Sequence, residues 1–108
     1  MKKILILIGL LISSLLASDF DDKKNITGKQ VFETYCWGCH HQTAVAFGPP
    51  FNEIAAKRTK DEIEAYIISP KSMYKAFGYK RTVMTQFNLS DKERNLIADY
   101  ILSFKGKK

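Results

Sequence analysis

The chain is poor in the residues that staple small proteins or bind metals. Its 108 residues include two cysteines, Cys36 and Cys39, and two histidines, His40 and His41. Two thiols this close can close only one very short loop, which contributes little to a fold. A zinc site would need two further ligands, and apart from these histidines the chain has no others of that type. No segment alternates apolar and polar residues as a half-buried strand does. The βαβ setting of a thioredoxin-like thiol pair is therefore absent. Internal repeats and low-complexity stretches are absent too.

Long apolar runs are also lacking, with one exception. Lys2 and Lys3 precede Ile4 to Ile12, interrupted only by Gly9, and small residues follow through Ser18. Charge, then apolar, then small residues is the order of a secretory signal peptide. The run is shorter than the roughly 20 residues a bilayer-spanning helix needs. No basic cluster follows to stop transfer, and no cysteine lies near the junction to take a lipid. The expectation is a cleaved signal over residues 1–18, a single exported domain over 19–108, and no stable membrane anchor.

Charge of one sign is scarce. Without Lys2 and Lys3 the 17 basic residues become 15 against 11 acidic ones, a formal +4. That is too mild for a nucleic-acid surface. The excess gathers at Lys71, Lys75, Lys80 and Arg81, with no acid among them. Two readings stand here, a solvated loop and a docking surface for an acidic partner.

Helices are marked clearly. Val31, Phe32 and Tyr35 share a helical face in a first helix starting near Thr27. Thr59-Lys60-Asp61-Glu62 and Ser90-Asp91-Lys92-Glu93 are capping boxes, in which hydroxyl and carboxylate satisfy free amides at a helix start. Ile63, Tyr66 and Ile67 form the apolar face of the helix that follows Thr59, and Pro70 ends it. Ile97, Tyr100, Ile101 and Phe104 form a stripe on the last helix, with Gly106 as its stop. Ala44 to Phe51 reads as loop, since Gly48-Pro49-Pro50 cannot continue a helix. Lys71 to Leu89 shows no period. The fold class expected is all-α with long loops.

A domain of about 90 residues buries only a modest core and often needs a staple. Cys36-Trp37-Gly38-Cys39-His40 points to one. Two thiols at this spacing can each add to a vinyl group of a haem, and the next histidine can reach its iron from the same side. For a second axial ligand the candidates are Met73, Met84, His41 and none. His41 is chained to His40 and cannot reach the opposite face, so it reads as a surface side chain.

In these residues the chain resembles the class I, His/Met-ligated, monohaem cytochromes c of bacterial periplasms, over nearly all of 19–108. Gly28-x-x-x-Phe32 with Tyr100 looks like the family's helix-crossing pair. Gly48-Pro49-x-Phe51 is similar to its loop after the haem motif, where the proline carbonyl accepts a hydrogen bond from the ligating histidine. Met84-x-x-Phe87-x-Leu89-Ser90-Asp91-x-Glu93 looks like its ligand methionine and closing helix. Thr85 departs from the pattern, standing where a proline commonly follows the methionine.

The resemblance implies three to four helices around one covalently attached haem c, with the first and last helices crossing. Cys36 and Cys39 hold the haem, and His40 and Met84 are its iron ligands. It implies a monomeric periplasmic electron carrier that meets redox protein partners and is not an enzyme. Two rivals are an electron-accepting subunit of a periplasmic oxidoreductase and a gas-binding sensor with five-coordinate iron.

Overall fold

The computed structural model describes residues 25–108; the signal peptide expected over residues 1–18 and the start of the domain expected from residue 19 lie outside them. Among the described residues five helical segments are joined by loops, and no strand forms. Helix α1 spans Gly28–Val31 and continues directly as a π-helical segment, Phe32–Cys36. Helix α2 spans Phe51–Lys57, α3 Lys60–Ile68, the one-turn α4 Pro70–Met73, and α5 Asp91–Leu102. The architecture is the all-α one expected, with α4 a single turn beyond the four longer helices.

Local chemistry accounts for each start. Thr27, Thr59 and Ser90 are N-caps, each accepting from the backbone N–H three residues on. The partner at that third position returns the bond: Gln30, Glu62 and Glu93. Both predicted capping boxes therefore form, and a third opens α1 with glutamine in the acid's place. Helix α3 ends at Ile68, and Pro70 is also the first residue of α4, where its missing N–H is needed by nothing. Helix α2 begins at Phe51, the last residue of the expected loop, and runs through a stretch to which the sequence assigns no element. Pro50 is its cap and Glu53 sits in its first turn, where an acid suits the helix dipole.

The core sits where α1 crosses α5. Val31, Phe32, Phe51, Ile63, Ile67, Leu89, Ile97, Ala98 and Ile101 form one buried cluster. The crossing is close at Gly28, where an added Cβ would lie 2.5 Å from the Leu96 carbonyl oxygen and 2.7 Å from Tyr100 Cβ. Phe32 and Tyr100 meet beside it, ring centroids 5.8 Å apart, and Phe51 packs edge-on to Phe32 at 5.2 Å. No helix among the described residues is long and apolar enough to cross a membrane.

Candidate functional site

The π-helical segment delivers the cysteine motif to the edge of this core. Its last bond runs from the Trp37 N–H to the Phe32 carbonyl at 2.9 Å. Cys36 then accepts from the N–H groups of Cys39 and His40 at 3.3 and 3.2 Å, closing a tight turn. Gly38 makes that turn possible with φ of 96°, a conformation side chains resist. The sequence reading passed over Gly38, although a glycine between two cysteines is a legible turn signal.

Cys36 is half-buried and Cys39 exposed, and both thiols are free. Burial first, and the neighbouring Cys39 second, push the Cys36 thiol up to about 11, so at neutral pH it carries its proton. Conversion to a thioether would remove that titration altogether.

His40 is gripped on three sides. Its Nδ1 lies 2.8 Å from the Pro49 carbonyl oxygen. Its ring stacks on Phe51 with centroids 5.6 Å apart. Gly48 covers the ring so closely that a Cβ there would sit 2.5 Å from Cε1. The loop doubles back to do this: the Gly48 N–H donates to the Cys39 carbonyl, and those of Phe51 and Asn52 to the carbonyls of His41 and Gln42. Because Nδ1–H is given to a carbonyl, Nε2 keeps its lone pair for a metal. His41 is exposed and turned to its own backbone, accepting from the N–H groups of Thr43 and Ala44 at 3.1 and 3.0 Å.

Met84 lies in an irregular segment, partly buried and packed against the core cluster alongside Phe87. Its N–H donates to Thr82 Oγ1 at 3.3 Å, and the same oxygen accepts from the Tyr66 hydroxyl at 3.1 Å. Met73 is half-buried at the end of α4. Tyr35, just before Cys36, stacks edge-on with Phe87 at 5.7 Å. The negative charge of nearby Glu93 raises the Tyr35 pKa. Tyr35 thus joins the cysteine motif to the Met84 segment and to α5. Gln42 reaches Tyr100 Oη at 3.4 Å. Lys71, Lys75, Lys80 and Arg81 are all exposed. Tyr35, Gln42, Tyr66 and Thr82 had no signal as site residues, because each acts through a polar group or ring on residues that no local pattern links to it.

The cytochrome c family model matches residues 26–105, and the chain belongs to the cytochrome c family. It is a haem-binding electron carrier with haem c covalently attached. No curated protein and no solved structure matches the chain. The residues present fit that group, offering two neighbouring thiols beside one imidazole with an uncommitted nitrogen. Large exposed apolar side chains, Trp37, Val45, Phe47 and Val83, lie in the segments that carry the motif and Met84, and such side chains suit contact with an apolar group.

Proposed function

We propose that this protein is an exported one-electron carrier, with haem c joined to Cys36 and Cys39 and its iron bound by His40 and Met84. The observation that carries this reading is the 2.8 Å contact between His40 Nδ1 and the Pro49 carbonyl. A carbonyl in that position selects the tautomer with Nε2 free, holds the ring plane and makes the nitrogen more basic. When bound, haem c supplies the one-electron Fe(III)/Fe(II) couple. Gly48, Pro49 and Phe51 supply the orientation of His40. Met84 supplies a neutral thioether that favours Fe(II), so the potential lies above that of a bis-histidine site. If His40 and Met84 both hold the iron, no position would be left for a substrate, which suits a carrier. Residues 1–18 direct export to the periplasm, where the mature domain acts as a monomer and exchanges electrons with other redox proteins.

The ligand assignment is tested on haem-loaded protein from a cytochrome-maturing host. Met84→Ala should keep the haem attached, abolish the weak far-red Met-to-iron band, lower the potential and admit carbon monoxide to the reduced form. Met73→Ala should do none of these, and Cys36→Ala with Cys39→Ala should lose covalent haem and most of the fold. A far-red band that disappears with Met73 and survives loss of Met84 reverses the assignment. A native protein that lacks the band and already takes up carbon monoxide is a sensor.

A further inference from the structure

Residues 79–90 form no helix or strand, yet they carry Met84. The residue after Met84 is Thr85, so no proline ring stiffens the backbone there, and the segment is held by contacts with side chains. One of them is Arg58, the residue that ends α2 in extended conformation. Its side chain is only 18 % exposed. Nη2 donates to the Phe77 carbonyl at 2.6 Å, a contact spanning 19 residues of chain. The guanidinium lies 4.2 Å above the Phe77 ring and 5.9 Å from that of Tyr79. Nη1 is 3.9 Å from Glu62 Oε2. Nε is buried without a partner, so the geometry is set by the other two nitrogens and by the ring contacts.

The clamp continues inward. The rings of Phe77 and Tyr79 pack on Tyr66 of α3 at 5.2 and 5.9 Å. Tyr66 donates to Thr82, which in turn holds the Met84 N–H. An unbroken series of contacts thus runs from the end of α2 to the backbone of Met84.

We propose that Arg58 is a positioning residue for the Met84 segment, clamping Phe77 and Tyr79 against Tyr66 so that Tyr66 and Thr82 hold Met84 in place. The proposal rests on the reading of Met84 as the distal ligand. The planar guanidinium is essential to it, because the clamp needs a forked donor and a flat face for the ring together. A lysine ammonium supplies neither.

The test uses haem-loaded protein in the oxidised state, titrated with imidazole. An external ligand reaches the iron only from the fraction of molecules whose Met84 segment has moved away, so its apparent affinity scales with that fraction. Losing a charge-assisted bond to a half-buried carbonyl should raise the fraction about tenfold. Arg58→Met and Arg58→Lys should both bind imidazole about tenfold more tightly, and lysine should not rescue. Thr27→Ala, which removes the N-cap of α1 outside this series of contacts, should lower thermal stability and leave imidazole affinity unchanged. If Arg58→Met fails to fold, Arg58→Lys decides. Affinities within about twofold of the native protein overturn the proposal, as does an equal gain in Thr27→Ala. So does a gain that persists undiminished on a Met84→Ala background, because the clamp would then act elsewhere. Whether Met84 is the ligand is read separately, from the far-red band of Met84→Ala alone.

Discussion

His40 and Gly48 show how a small residue can govern a functional one. A histidine ring needs two restraints to serve as a fixed metal ligand, one on its plane and one on its tautomer. Phe51 supplies the first by stacking and Pro49 the second by accepting from Nδ1. Both work only because Gly48 lets the backbone lie against the ring. A methyl group at Gly48 would meet three atoms of the imidazole at 2.5 to 3.0 Å. Neither the ring, stacked on buried Phe51, nor the loop backbone can yield freely. Gly48→Ala is therefore expected to cost about 1–3 kcal/mol, the usual range for forcing a methyl into packed surroundings. It should also lengthen the bond to Pro49. A denaturant melt of the haem-loaded protein reads the first effect. A changed potential with haem still attached reads the second, and unchanged values for both would mean the loop simply shifts away. The motif Cys36-x-x-Cys39-His40 was legible because its chemistry lies in five consecutive residues. Of its neighbours, Gly48 and Pro49 were singled out only through family likeness. Their contacts with His40 join residues eight and nine positions away, and no periodicity encodes that.

The helices depend on their caps to an unusual degree, since most are short. Helix α3 has nine residues and α5 twelve, lengths that are marginal in isolation. Each opens with a hydroxyl that accepts from an amide and a glutamate that returns the bond. Glu62 and Glu93 are accordingly held below the usual carboxylate range, chiefly by hydrogen bonds from the backbone N–H groups of Thr59 and Ser90. A carboxylate with a lowered pKa contributes stability that is fully present above its unfolded value, about 4.3 for glutamate. That stability is lost as pH falls through the lower folded value. Both side chains are largely open to solvent, so the effect should be modest. Glu93→Gln, which keeps an oxygen to accept the Ser90 N–H but removes the charge, is expected to destabilise the protein modestly at neutral pH and not at a pH low enough to protonate Glu93 in the native protein. Melting the two proteins across the acid range checks this, and a cost that stays constant with pH would show that the Glu93 charge contributes nothing to the cap. These caps were readable because a capping box is a four-residue pattern. Helix α2 was not, since seven residues are too few for periodicity to register and Gly48-Pro49-Pro50 extends a loop signal to its first residue. The continuation of α1 as a π-helix was equally silent, because its side-chain pattern fits an ordinary helix end.

Seen whole, the molecule combines a small core with one basic region, and the two have separate tasks. The core where α1 and α5 cross holds the cysteine motif at one edge. Lys71, Lys75, Lys80 and Arg81 are exposed in and just after α4, in the stretch that leads to Met84. If this region meets an acidic redox partner, its charge acts on encounter and not on the haem. Steering of that kind changes association rate and fades as salt rises. Lys75→Glu with Lys80→Glu should slow electron exchange with the native partner at low salt, with the difference closing as salt is added and the potential staying put. Stopped-flow rates across a salt series measure it, and rates unaltered at low salt would leave these residues as a solvated loop. The class of the protein, its covalent cofactor and the capping boxes of α3 and α5 were written in short stretches of chain, where neighbouring residues carry the chemistry or a period repeats. The grip of Gly48 on His40, the tie from Tyr35 to Glu93, and the line from Arg58 through Tyr66 to Met84 came only with folding. Each joins residues that no local pattern links, and such contacts exist only after the loops have closed over the helices.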